Sequence, residues 1–241
     1  MTALTPQAPA VVPAKGPGRE APGRDCPLCP RLVAFRQANR AAEPAWHNAP
    51  VPSFGPQSAR LLVVGLAPGL KGANRTGRPF TGDYAGDLLY ATLRKFGFAE
   101  GDYDRRPDDG FRLIDCRITN AVRCVPPENK PTPAEIALCR GFLVAEIAAL
   151  PNLRAILALG AIAHGSLLAA QGERLARRPF KHGALHALDG GLLLADSYHC
   201  SRYNTNTGRL TAAMFEAVVA AVRSRLSSTS PSPPERGRGP G

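Results

Sequence analysis

Gly65-Leu66-Ala67-Pro68-Gly69-Leu70-Lys71-Gly72-Ala73-Asn74-Arg75-Thr76-Gly77-Arg78-Pro79-Phe80-Thr81-Gly82-Asp83 is the stretch on which the reading of this chain turns. It follows a short apolar run, Leu61-Leu62-Val63-Val64, that predicts a buried parallel strand over 61–66. It precedes a helical pattern over Tyr84 to Phe98, with Leu88, Leu89, Ala91, Leu93 and Phe96 at helical spacing. A strand therefore empties into a long loop with five glycines, and the loop enters a helix. Ligands of open α/β sheets sit outside the carboxyl ends of the strands, so a site belongs here. The loop matches neither G-x-G-x-x-G nor G-x-x-x-x-G-K-[ST]. Glycines after a strand also serve as plain turns, but a loop this long tends to carry function. Its Asn74, Arg75, Thr76, Arg78, Phe80 and Asp83 can grip phosphate, offer an aromatic face and hold a carboxylate near a reacting atom.

Three further apolar runs read as core strands: 113–119, 155–159 and 192–197. Helical patterns lie between them. The clearest starts at Thr132-Pro133-Ala134-Glu135, a capping box with proline at the first helical position. Another is expected over 161–170, and a last one from about Thr207 to Leu226. Strands alternating with helices predict an α/β fold, a four-stranded parallel sheet covered on both faces.

The chain has 241 residues and a net charge of +11. Residues 1–24 and 227–241 are rich in Pro, Ala, Gly and Ser and poor in large apolar side chains, so disordered tails are expected there, flanking one domain over 25–226. The first tail carries +2 and the last +1, which leaves the domain at +8. A polyanionic partner suits that charge. Arginine outnumbers lysine 25 to 5, in keeping with bidentate phosphate contacts, although genome base composition gives the same bias. No apolar run is long enough for a signal peptide or a bilayer span, so a cytoplasmic chain with no membrane partner is expected.

Six cysteines are present. Disulfides are not expected in a reducing compartment. Cys26 and Cys29 form a C-x-x-C, while Cys124 and Cys139 form a looser pair that could converge with it on one metal centre. Zinc more typically uses two close pairs, and an iron–sulfur cluster accepts a mixed spacing. C-x-x-C also serves as a redox motif, and Cys124 and Cys139 could be buried apolar residues. Cys116 and Cys200 read as structural.

The fourth strand runs into Ser197-Tyr198-His199-Cys200-Ser201-Arg202-Tyr203-Asn204-Thr205-Asn206-Thr207-Gly208-Arg209, again strand, polar loop and helix. His199 alone among five histidines sits at the end of a convincing strand; His47, His164, His182 and His186 read as surface or capping residues. The second strand ends at Thr119-Asn120. Three strand ends thus offer the first loop, Asn120 and His199 to one cleft.

These pieces together (G-L-A-P-G with N-R-T-G-R-P-F-T-G-D, I-T-N-A-V-R-C-V-P-P, and S-Y-H-x-S with N-T-x-T-G-R-L-T) resemble the uracil-DNA glycosylase superfamily, specifically its type-B, fifth-family members. The likeness spans about residues 25–225 and includes Trp46 and Pro50 to Gly55 ahead of the first strand. Two positions bear on it: Cys200 stands where proline is usual, and Ala67 stands where other branches have Asp or Asn, an alanine that type-B members share.

The resemblance implies a three-layer α/β/α sandwich and a monomer that hydrolyses the N-glycosidic bond of uracil, and of other deaminated bases such as hypoxanthine, in DNA. It implies a [4Fe–4S] cluster on Cys26, Cys29, Cys124 and Cys139. It gives Phe80 the task of stacking on the flipped base, Asn120 its hydrogen-bonding edge and His199 the oxygen that gains charge as the base leaves. The backbone of Gly65, Ala67, Pro68 and Gly69 would line the pocket. Asn74 would orient the water, with Asp83 as the alternative or as a helix cap. Arg75, Arg78, Ser201, Arg202 and Arg209 are candidates for phosphate contacts, and residues of 202–206 for filling the space left by the base. The competing reading is a non-catalytic iron–sulfur DNA-binding or damage-sensing module; a zinc-ribbon module on the same scaffold is a third.

Overall fold

The computed structural model describes residues 21–228. The expected tails fall almost wholly outside them. In chain order the elements are α1 (Pro30–Ala42), β1 (Leu61–Gly65), α2 (Ala73–Thr76), α3 (Tyr84–Lys95), β2 (Ala99–Glu100), β3 (Arg112–Leu113), β4 (Cys116–Asn120), α4 (Pro133–Ala148), β5 (Ala155–Leu159), α5 (Ala161–Ala170), β6 (Leu185–Ala187), β7 (Leu193–Ser197), α6 (Arg202–Asn206) and α7 (Ala212–Ser228).

The main sheet runs β4-β1-β5-β7-β6. Its first four strands are parallel, and β6 pairs antiparallel with β7. The α/β sandwich is as expected, but the sheet has five strands rather than four. The added one, Leu185-His186-Ala187, is three residues long and only partly buried, so it carries no apolar run. The expected strand 113–119 is also broken. Asp115 takes φ +53 and its carboxylate accepts from the backbone nitrogen and Nε of Arg60, which ends β3 and starts β4. Aspartate tolerates that left-handed geometry because a short polar side chain can bond locally.

Alternation along β1 builds the two sides of the sandwich. Leu61 and Val63 face Leu89 and Leu93 of α3 and Phe215, Val219 and Val222 of α7. Leu62 and Val64 face Leu143 and Ile147 of α4 and Leu167 of α5. Fully buried side chains of this kind each contribute about 1.5–3 kcal/mol. The predicted capping box opens α4, with Thr132 and Glu135 bonding reciprocally. Glu135 also takes a two-pronged contact from Arg31, at 2.8 and 2.7 Å, which ties α1 to the start of α4. The carboxyl ends of β1, β4 and β7 then open on one side, with Gly65 opposite Asn120 in register.

Candidate active site

A cleft of about 520 Å³ opens at these strand ends. Its wall includes Ala67, Pro68, Gly69, Phe80 and Asp83 from the first loop, Asn120 from the end of β4, and His199, Ser201 and Arg202 from the second loop. Nine of the residues singled out from the sequence therefore meet in one space. Tyr84 and Asn129 join them. Neither has a motif to announce it: Tyr84 reads as the first residue of a helix and Asn129 as part of a proline-rich turn.

Asn120 is 4% exposed, and its Oδ1 is buried without a hydrogen-bond partner. Buried acceptors are nearly always satisfied, so an orphan beside a cleft marks a place for a ligand's donor. Gly65 makes this packing possible. A Cβ there would stand 2.5 Å from Asn120 Oδ1 and 2.6 Å from Phe80 Cζ. Phe80 lies against His199, ring centroids 5.8 Å apart at 30°. Burial lowers the His199 pKa to about 4, so the ring is neutral at physiological pH and has an N–H to offer rather than a charge. Asn204 donates to the His199 carbonyl at 2.9 Å and holds its backbone.

Asp83 occupies the N-cap position of α3 but makes no side-chain cap bond. Its carboxylate is turned back into the loop instead, where the backbone N–H groups of Ala73 and Gly69 bond it. Burial raises its pKa, opposed by those donors and by Arg75. A side chain at Gly72 would overlap the carboxylate and push it off these donors.

Asn74 does not reach the cleft. It is buried, and its Nδ2 donates to Asn48 Oδ1 at 2.8 Å, while Asn48 N donates back to the Asn74 carbonyl. Arg78 is a correction to the expectation of a phosphate contact. It is buried, with a two-pronged ion pair to Asp109 at 2.8 Å, and the Asp109 side chain is 1% exposed. The rings of Phe54, Tyr90, Tyr103 and Phe111 surround its guanidinium at 5.2–6.0 Å. The reason is the partner, which lies 31 residues along the chain. Arg78 thus fixes the loop beneath Phe80, whose backbone sits at φ +54 and whose carbonyl accepts from Tyr103. Arg75 is exposed on the far flank of the loop. Arg209 is exposed over the Tyr198 ring at 4.7 Å. Arg202 lies over Tyr84 at 5.2 Å, at the cleft mouth.

His164 is likewise corrected from a surface or capping residue to a buried one. It donates from Nε2 to the Arg178 carbonyl at 2.8 Å, and its Nδ1 lies in hydrogen-bond contact with Asp196 Oδ1 at 2.7 Å. His186 Nε2 lies 3.0 Å from the other Asp196 oxygen. This network braces β7 just before His199.

A second, smaller cavity is lined by Cys26, Cys29, Cys124 and Cys139, together with Arg36 and Arg123. Cys116 and Cys200 lie elsewhere, in the core beneath the cleft. Burial pushes the Cys124 thiol up to about 12 and the Cys139 thiol to about 11, so as free thiols they would be neutral. Arg36 is 4% exposed and makes no ion pair with a carboxylate among the described residues, with only the exposed Asp25 near enough to feel its charge. It donates to Cys124 Sγ at 3.7 Å and to the Cys26 carbonyl at 3.0 Å, and its Nε is unpartnered. Arg123 N donates to Cys139 Sγ at 3.4 Å. A buried arginine without a counter-charge is costly, and four thiolates around a metal centre would supply one. Four cysteines around one cavity are the donor types a thiolate-bound centre uses, although among the described residues no three of their sulfurs lie within 4.8 Å of one another.

Among the described residues no helix is long and apolar enough to cross a membrane. The profile of the Uracil DNA glycosylase superfamily matches residues 52–223. The chain is 50% identical over 200 residues to a type-5 uracil-DNA glycosylase of Thermus thermophilus, covering 80% of this chain and 90% of that protein. It is 44% identical over 202 residues to a type-5 enzyme of Mycobacterium leprae, covering 80% and 88%. A type-4 uracil-DNA glycosylase of Pyrobaculum aerophilum is 35% identical over 152 residues, 63% of each chain. With the matched stretch running from just ahead of β1 to within α7, the chain belongs to the uracil-DNA glycosylase superfamily.

Proposed function

We propose that this protein is a type-5 uracil-DNA glycosylase that removes uracil flipped out of DNA, leaves an abasic site, and does so by hydrolysis alone. The observation that carries this reading is the orphaned Asn120 Oδ1 facing a cleft shared with the Phe80 ring and a neutral His199. Uracil offers an N–H to that oxygen, a flat face to the ring and a carbonyl to a histidine N–H.

Breaking the glycosidic bond sends its electron pair to the base and leaves positive charge on the sugar. His199 donates to the carbonyl oxygen that gains charge, an interaction strengthened in the transition state. Water then adds to the sugar carbon. Asp83 is the carboxylate of the cleft wall, and its raised pKa suits it to hold that water and accept its proton. Asn74, committed to Asn48, serves the loop rather than the water. Ala67, Gly69, Ala73 and Ala85 keep the wall shallow, which leaves room for a larger base such as hypoxanthine. Ser201 and Arg202 at the mouth, with Arg75 and Arg209 beyond it, contact phosphates. Tyr203, 71% exposed on α6, fills the gap left in the stack.

Cys26, Cys29, Cys124 and Cys139 would hold a [4Fe–4S] cluster, which when bound supplies a cross-link between α1 and α4 and the negative charge that Arg36 faces. The purified protein should be brown; a colourless protein containing zinc overturns the iron assignment. The activity is tested by incubating uracil-containing DNA with the protein and then heating in alkali. Strand cleavage at uracil is expected. No covalent adduct should form with borohydride, since Lys71 is exposed and no lysine lines the cleft. Intact strands after alkali would favour the non-catalytic alternative.

A further inference from the structure

A second groove, of about 510 Å³, lies on the other flank of the first loop. Trp46, His47, Arg75, Arg105 and Arg106 line it, and no carboxylate does. It is built rather than incidental. His47 N donates to the Arg75 carbonyl and Asn48 N to the Asn74 carbonyl, while the Asn74 amide bonds back to Asn48. These bonds clamp the Trp46 segment alongside Arg75. The same segment runs on to Val51, whose N–H bonds the Arg123 carbonyl just past β4, so the groove shares the sheet's carboxyl end with the cleft.

We propose that this groove takes an unpaired nucleotide of the DNA strand, its base against Trp46 and its phosphate on Arg75 and Arg106. The proposal rests on DNA being the substrate. Arg75 has no ion-pair partner among the described residues. Arg105 and Arg106 hold Asp87 and Asp104, but the arginines are more than 60% exposed, and exposed pairs of this kind contribute little, so a phosphate displaces them cheaply. Trp46 is partly exposed. Bases in a duplex are stacked on one another and have no face to offer an indole, whereas an unpaired base does. Guanidinium groups beside an aromatic face therefore select a single strand over a duplex.

Trp46 is the only tryptophan in the chain, so tryptophan emission excited clear of the five tyrosines reports on this groove alone. The probes are duplexes carrying a non-hydrolysable abasic analogue, with and without a single-stranded extension. The extended duplex should quench the fluorescence and bind tighter than the blunt one by about 5- to 150-fold, the range of one stacked base. Trp46→Ala should abolish that advantage. Arg106→Gln, a surface change that leaves the fold alone, should reduce it and lower the salt slope of binding by about 0.7. Equal quenching by both duplexes would assign the groove to the duplex backbone and overturn the proposal. Equal affinity of the two, or an advantage undiminished by Arg106→Gln, overturns it as well. Uracil release from cleavable duplexes, followed in parallel, is a separate reading. Release without quenching sinks only the groove, and quenching without release sinks only the chemistry.

Discussion

Two polar groups lie on either side of Phe80 and are treated in opposite ways. Arg78 is locked into a closed cage of one carboxylate and four rings, with its Nε bonded to Thr81. Asn120 is almost as buried, yet its Oδ1 has no partner. The cage is complete without any ligand and the cleft is not. A satisfied buried network makes scaffold, and a buried group held unsatisfied makes a binding site. The two are physically coupled, because the cage holds the loop that carries Phe80.

The contrast can be broken from either side, and the cysteine cavity sets the scale. Replacing Cys124 with Ser should empty that cavity of iron and cost most of the folding stability, since metal binding is part of folding free energy there. Iron content and thermal unfolding check this; Cys116→Ser and Cys200→Ser should retain full iron, and retention near four irons in Cys124→Ser would refute the ligand set. Next comes Arg78→Ala, which strands Asp109 in the interior. A loss of about 3–5 kcal/mol in denaturant unfolding is expected. Its affinity for undamaged DNA, measured well below the unfolding midpoint, should hold. A large affinity loss with unchanged stability would return Arg78 to the phosphate contacts.

His199→Ala should invert that pattern. Single-turnover excision should slow by about 10²–10³, the effect of one well-placed donor on a developing oxyanion. Duplex affinity and stability should barely move, because phosphates dominate non-specific binding. Equal losses in excision and affinity would make His199 structural. The smallest effect is in pH. His199 titrates at about 4 in the folded chain and near its ordinary 6.5 unfolded. Above 6.5 it contributes nothing to the pH dependence of stability. Between 6.5 and 4 the unfolded chain takes the proton and the folded chain does not, so stability falls as pH falls. Excision should nonetheless show no inflection near 6.5, since the working form is neutral throughout. An inflection there in wild type that vanishes in His199→Ala would mean an imidazolium carries the step.

What the sequence could and could not reveal follows the reach of each signal. Leu61–Val64, Asn120 and His199 are legible because a strand's apolar run and the polar residue that ends it are neighbours in the chain. The capping box of α4 is legible for the same reason. Arg78 and Asn74 are not. Their partners, Asp109 and Asn48, lie 31 and 26 residues away, and nothing local distinguishes a caged arginine from a phosphate-binding one. His164 misleads likewise, because Asp196 is 32 residues distant. β6 escapes because three residues cannot show a period.

The first helix of the domain waits for its partners. Arg31 bonds Glu135 and Arg36 bonds Cys124, separations of 104 and 88 residues. Thirteen residues of helix are marginal in water by themselves. On a ribosome, α1 leaves the tunnel ahead of the sheet and has only its local bonds to Asp25 and Asn48 until β1, the first loop and β4 have been made and the start of α4 follows. The cysteines at 26 and 29 therefore travel through synthesis unpaired with those at 124 and 139. Closure of that long loop comes late in the order of assembly, and α1, made before the sheet, is among the last elements to be fastened to it.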